Sequence, residues 1–217
     1  MKYHAPGGWR AHAVSLALSL CMALPAGVSD AAEANSSSKS WNFEALLDGA
    51  PIGTHQFEVV RNGNQIRVNS SAEFRVKLLG ITVYRYTQKV QELWRDGCLI
   101  GLQATTNDNG TPLQVSAEMQ DDGLLIQGPE GKQKVPRCVY SYAYWNPDLL
   151  QQTELLNPQT GKLDALRAER ISGSATGTRW RLNVKPKPID IWLNPEGEWQ
   201  SLEAVLKGGQ LLRYRLL

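Results

Sequence analysis

The sequence predicts a mainly β protein, an antiparallel β-meander forming a barrel or curved half-barrel with one short helix. Three observations predict it. Turn pairs such as Asp48-Gly49, Asn62-Gly63, Asp96-Gly97 and Asn109-Gly110 recur at near-regular intervals. The stretches between them alternate apolar and polar residues with a period of two, and a single segment carries helix-start chemistry.

The chain opens with Lys2 and Arg10, an apolar stretch from Ala13 to Val28, and small residues at Ser29, Ala31, Ala32 and Ala34. This is the three-part pattern of a Sec-type signal peptide, with cleavage near Ala31 or Ala34. The apolar stretch is short for a hydrocarbon core of ~30 Å, and Pro25 and Gly27 interrupt it. Leu20 ahead of Cys21 is too large for the residue that precedes a lipid-modified cysteine. The expected organisation is residues 1–31 as a removed signal peptide, 32–40 as a disordered leader of mostly Ala, Asn and Ser, and 41–217 as a single β domain. The expected location is periplasmic or secreted.

From Trp41 onward each element follows from its pattern. Ile66, Val68, Ser70, Ala72, Phe74 and Val76 alternate with Arg67, Asn69, Ser71, Glu73, Arg75 and Lys77, as a half-buried strand requires. Around Gly80 the pattern fits one very long strand bent at the glycine, or two strands meeting at a corner. Further reversals are expected at Asp122-Gly123, Glu130-Gly131, Gln159-Thr160-Gly161, Ser172-Gly173, Asn194-Pro195-Glu196-Gly197 and Gly208-Gly209. Trp180, Leu182 and Val184, then Leu212, Tyr214 and Leu216, repeat the alternation. Asn146-Pro147-Asp148 supplies a cap, a proline at the first helical position and an early acid. A helix of about two turns is expected to follow, its Leu149, Leu150, Leu155 and Leu156 facing the sheet.

Cys98 and Cys138 are the two cysteines beyond the leader, and in an oxidising compartment they predict one structural disulfide, with two buried thiols as the alternative. Removing Lys2, Arg10 and Asp30 with the leader leaves 21 basic and 20 acidic side chains, a balance that argues against nucleic acid. His55 is the one histidine past the leader, so a histidine-based metal cluster and a Gly-x-Ser-x-Gly hydrolase are both absent from the pattern, and no metal or other cofactor is expected. His55 itself is expected at the surface. Asp121-Asp122 and Glu196-x-Glu198 fall in turns, where solvation explains them.

Two features remain. Tyr140, Tyr142 and Tyr144, with Trp145 beside them and Tyr84 and Tyr86 earlier, would share faces at roughly 7 Å spacing on strands. They would either line a ligand groove or form an aromatic ladder over neighbouring strands. Between Lys162 and Lys187 the bases Arg167, Arg170, Arg179, Arg181, Lys185 and Lys187 far outnumber Asp164 and Glu169. They form the wet face of a hairpin, or a surface for anionic lipid or an acidic protein partner.

Trp41-Asn42-Phe43, Leu47-Asp48-Gly49, Lys77 through Tyr86, Glu92-Leu93-Trp94-Arg95, Ala143 through Pro147, Leu155 through Gly161, and Ile191-Trp192-Leu193 with Trp199 resemble a family of exported bacterial β-rich proteins of unknown function. The resemblance spans nearly the whole chain past the leader and implies no established activity. It also carries a looser likeness of pattern to envelope lipid carriers built as a curved antiparallel sheet. The expectation that follows is non-catalytic binding of a hydrophobic or amphipathic ligand, an acyl chain or lipid, inside the curved sheet. The alternatives are an envelope interaction or scaffold module, and a hydrolase whose carboxylates the fold brings together.

Overall fold

A computed structural model describes residues 36–217; the segment read as a signal peptide and residues 32–35 lie outside the described residues. The strands are β1 (Ser36–Leu47), β2 (Ala50–Asn62), β3 (Gln65–Leu78), β4 (Ile81–Arg95), β5 (Cys98–Asp108), β6 (Thr111–Gln120), β7 (Gly123–Gly128) and β8 (Gly131–Val135). After a 3-10 helix at Pro147–Gln151 come β9 (Glu154–Leu156), β10 (Leu163–Ala165), β11 (Arg167–Ser174), β12 (Gly177–Asn183), β13 (Ile189–Leu193), β14 (Trp199–Val205) and β15 (Leu211–Leu216).

Thirteen of these form one antiparallel sheet, in the order β11-β12-β13-β14-β15-β1-β2-β3-β4-β5-β6-β7-β8. Every neighbour is a sequence neighbour except at the centre, where the last strand returns to the first and pairs Phe43 with Leu216 and Leu47 with Leu212. The sheet is not closed: β8 and β11 are its edges. The chain between them, residues 136–166, carries the helix and the small β9–β10 pair. The mainly β, curved and open member of the two predicted architectures is the one formed.

Alternation is what places the core. Along β3, Val68, Ala72 and Phe74 are buried and Ile66, Ser70 and Val76 half-buried, while the five residues between them, Arg67, Asn69, Ser71, Glu73 and Arg75, are exposed. Phe43, Phe57, Trp199 and Tyr214 meet on the inner face, with ring centroids 4.2 Å apart for Phe43 and Trp199 and 5.2 Å for Phe57 and Trp199. Each such side chain taken out of water contributes about 1.5–3 kcal/mol, so this cluster joins both wings of the sheet.

Four expectations need correction. Residues 36–40 are not a disordered leader: they belong to β1, where Ser36 pairs with Asn62 and Ser40 with Glu58. Ladder hydrogen bonds come from the backbone, so a serine-rich composition does not prevent them. The stretch around Gly80 is neither a bent strand nor a corner but a hairpin, with Leu79 and Gly80 both at positive φ (50° and 82°). The reversal expected at Ser172-Gly173 falls three residues later, because these residues are absorbed into β11 just after a bulge at Ile171, opposite Trp180 and Arg179 of β12. The helix is a single 3-10 turn. Asn146 caps it by accepting from the Asp148 N–H at 3.0 Å, but at Gln152 the chain is already extended, and Glu154–Leu156 pairs with Leu163–Ala165 instead. Leu149, Leu155 and Leu156 are nevertheless fully buried.

Candidate functional site

The inner face of the sheet and the 136–166 segment line a half-open cavity of about 460 Å³, within the roughly 300–1,000 Å³ usual for small-molecule sites. Strands β2 to β4 supply Phe57, Val68 and Val90 to one wall, and β13 to β15 supply Ile189, Leu202 and Leu212 to the other. The strands put these residues there because alternation aims every second side chain inward. The 136–166 segment covers the cavity with Tyr142, Ala143, Tyr144 and Trp145, four consecutive residues that all reach it.

That arrangement departs from the predicted tyrosine row. Val139 to Asn146 is not a strand but irregular chain with a single bridge from Ser141 to Leu156, a bend at Tyr142 and a turn at Tyr144 and Trp145, so the three tyrosines do not share a face. Tyr140 packs edge-on against Trp94 at 5.1 Å, away from the cavity. Tyr142 and Tyr144 do line it, 6.1 Å apart, and Tyr144 leans on Trp199 at 5.0 Å. Trp145 sits edge-to-face with Trp94 at 5.5 Å. Tyr86 lines the cavity and stacks on Phe74 at 5.5 Å, whereas Tyr84 stands outside it and donates to Asp108 Oδ1 at 2.7 Å. The structure therefore gathers Tyr86, Tyr142, Tyr144 and Trp145, and leaves Tyr84 and Tyr140 in supporting positions.

The disulfide between Cys98 and Cys138 pins this covering segment to the start of β5, with Cα atoms 5.2 Å apart, and the Leu99 N–H donates to the Val139 carbonyl beside it at 3.2 Å. At its other end, Gly161 packs against Gly128, where a Cβ on Gly128 would stand 2.6 Å from the Thr160 carbonyl oxygen.

The polar groups in the walls hold one another in place. Tyr86 donates to Gln159 Oε1 at 3.2 Å, and Gln159 donates to Asp108 Oδ2 at 3.2 Å. Tyr142 and Asn157 both donate to Asp164 Oδ2, at 2.8 and 3.0 Å. Burial pushes the Tyr86, Tyr142, Tyr144 and Tyr214 phenols well above their ordinary range, so they stay neutral donors. Burial likewise raises Glu92, which accepts from Trp94 Nε1 at 2.8 Å and contributes to the lining. Lys185, Lys187 and Lys207 are exposed lysines at the rim.

Sequence reasoning missed His55. It is not at the surface but among the cavity residues, its Nδ1 3.0 Å from the Tyr214 hydroxyl and its Nε2 3.0 Å from Ser70 Oγ. The signal was present: Phe57 and Val59 are apolar and share its parity on β2, which places His55 inward. A serine beside an imidazole suggests a nucleophile and its base. Here burial pushes His55 down to about 3, and the group on Nδ1 is a phenol rather than a carboxylate that would stabilise an imidazolium. The imidazole links Ser70 to Tyr214 within an aromatic wall.

The basic residues of the 162–187 region are not all free for a partner. Asp190 on β13 is buried and takes a two-bond fork from Arg181, Nε at 2.8 Å and Nη2 at 2.9 Å, and is also bonded by Arg179. Arg179 further lies over Trp192 at 5.0 Å. Of the turn acids, Asp122 pairs with Lys134 at 2.8 Å, and Glu198 with Lys39.

Against known proteins, the chain is similar to the crystal structure of a beta-barrel-like protein of the domain of unknown function DUF1849 from Brucella abortus. The TM-score is 0.57 at 10% identity, over 82% of this chain and 94% of that one, a likeness that speaks for the fold alone. A search of curated protein sequences finds no match. A family model described as a domain of unknown function matches residues 43–217, the whole β sheet apart from the first half of β1. The chain therefore belongs to the family of unknown function DUF6134.

Proposed function

We propose that this protein is a non-catalytic carrier or sensor of an amphipathic ligand, an acyl chain or lipid, held in the cavity of the curved sheet, and that it works in the cell envelope after export. The observation that carries the reading is the cavity of about 460 Å³, walled by aromatic and aliphatic side chains and rimmed by Lys185, Lys187 and Lys207. An apolar tail gains from leaving water along Phe57, Tyr144 and Leu202, while an acidic head at the rim meets three cations. His55, Ser70 and Gln88 offer neutral hydrogen bonds inside, and the two carboxyl groups of the lining are tied to wall residues, Glu92 to Trp94 and Asp164 to Tyr142 and Asn157. The leader pattern and the disulfide support an oxidising location.

The test is native mass spectrometry of the protein isolated from its own envelope, together with displacement of a fluorescent fatty acid. Expected are a lipid adduct on the wild type and a loss of probe binding in Ala204→Phe, which fills the cavity from β14. A wild-type protein that carries no adduct and does not take up the probe overturns the proposal.

A further inference from the structure

Beyond the cavity, the hairpin of β3 and β4 presents a combination that folding does not require. The other sheet pairings stop short of it: β2 accompanies β3 only as far as the Gly53–Phe74 pair, and β5 accompanies β4 only from the Tyr86–Asp108 pair. Apart from the contacts of Arg85 with Asn109 and of Tyr84 with Asp108 at its root, residues 75–85 pair only with one another, as a two-stranded finger reaching four residues past Phe74, about 13 Å at about 3.3 Å each. Its end is apolar and open to water: Leu79 is 95% exposed, Ile81 70%, Leu78 63% and Val83 51%.

Leu79 is doubly out of place. It holds φ of 50° at the first central position of its turn, with Gly80 at 82°. Asp48-Gly49, Asp96-Gly97 and Asn109-Gly110 adopt the same pair of positive φ values, and there the residue is Asp or Asn, which tolerate this region far better than a bulky side chain. Strain combined with exposure of a leucine points away from the fold's own stability and toward a function of the tip.

The collar behind the tip names the occupant. Arg75 lies directly across the ladder from Arg85, a like-charge pairing that disfavours the hairpin in isolation, and Lys77 stands on the same exposed face of β3 as Arg75. Glu73 offsets Arg75 with an ion pair at 2.6 Å; among the described residues, Lys77 and Arg85 have no such partner. A narrow apolar end with cations set about two residues behind it fits a bilayer with anionic headgroups. The leucines and isoleucine enter the acyl boundary, about 5–10 Å deep, while the bases meet the phosphates. A convex tip of four side chains is far smaller than the ~800 Å² that a stable protein interface covers on each partner.

We infer that the Leu78–Val83 hairpin tip, with Lys77 and Arg85 behind it, is a membrane-docking finger for an anionic lipid surface. This inference does not depend on what the cavity holds. The phenol-lined site begins at the finger's root, where Tyr86 stacks on Phe74, so docking brings the cavity wall to the bilayer.

The experiment is co-sedimentation of the purified protein with vesicles of phosphatidylcholine containing about one-third phosphatidylglycerol, and with pure phosphatidylcholine, alongside melting curves. Leu79→Asn is the informative variant because its turn chemistry matches the other hairpins. It should melt at or above the wild-type temperature yet partition onto anionic vesicles about tenfold to hundredfold less. Lys77→Glu should lose binding to the anionic vesicles only. Equal partitioning of wild type and Leu79→Asn, or no vesicle binding by the wild type, overturns the inference. Sedimentation velocity separates the rival occupant, since self-association that disappears in Leu79→Asn would assign the tip to a second copy of the chain.

Discussion

The Tyr214 hydroxyl lies 3.0 Å from Nδ1 of His55, joining β15 to β2 across 159 residues of sequence and across β1 between them. With Ser70 on the other ring nitrogen, the imidazole is held from two strands at once inside a wall of aromatic rings. A neutral histidine so placed couples the fold to pH.

His55 is lowered to about 3 by burial, so between its ordinary value near 6.5 and that figure the unfolded chain binds the proton and the folded one does not. Its stabilising contribution is complete above about 6.5 and is lost as the pH falls through this window, at up to about 1.4 kcal/mol per pH unit. Glu92 acts in the opposite sense: burial raises it, so the fold gains relative stability as Glu92 takes up its proton on acidification. Urea titrations from pH 7 to pH 4.5 should therefore show a shallower acid loss in His55→Gln than in wild type, and a steeper one in Glu92→Gln. Identical slopes in all three proteins would remove the assignment.

The Cys98–Cys138 link closes a loop spanning 40 residues, which on chain entropy contributes at most about 4 kcal/mol. Because it anchors the segment bearing Tyr142, Tyr144 and Trp145, the Cys98→Ser/Cys138→Ser variant is expected to unfold at lower urea and also to bind a fluorescent fatty acid more weakly. Alkylation of the unreduced wild type should modify neither cysteine, and labelling at both would discard the bridge.

Asp190 is held below the usual carboxylate range, first by the hydrogen bonds from Arg181 and then by Arg179, with its own burial opposing. Its contribution is present above the unfolded value near 3.8 and disappears as the pH falls through the lower, folded one. At neutral pH, Asp190→Asn leaves two half-exposed guanidinium groups facing a neutral amide, and about 1–3 kcal/mol of stability should be lost. A change under about 0.3 kcal/mol in urea denaturation would show that water replaces the fork.

Gly53 stands at φ 150° beside the bulge where β1 and β2 shift register, and a Cβ there would lie 1.9 Å from the Glu73 carbonyl oxygen. Gly53→Ala therefore forces backbone apart two residues from His55. A loss of about 2 kcal/mol or more is expected, and chemical denaturation reads it directly. Wild-type stability in this variant would mean that β2 and β3 part there without cost.

Much of this protein was legible as a string. The turn pairs at Asp48-Gly49, Asp96-Gly97 and Asn109-Gly110 and the strict alternation of β3 report local requirements, since positive φ and a period of two constrain each residue through its nearest neighbours. The helix is shorter than its start implies because Asn146-Pro147-Asp148 says nothing of the stop, which the pairing of β9 with β10 imposes. At Leu79-Gly80 the glycine was visible, but a leucine in the preceding place hid a turn that Asp or Asn would have announced.

By itself, then, the sequence determined a mainly β body and its strand faces, because these follow from backbone geometry and the burial of every second side chain. Tertiary structure decided that the sheet stays open, that residues 136–166 cover its inner face, and that His55, Tyr86, Tyr144 and Tyr214 meet around one cavity. Those outcomes rest on contacts such as that of His55 with Tyr214, 159 positions apart, whose energies arise only when the sheet curls and both wings exclude the same water.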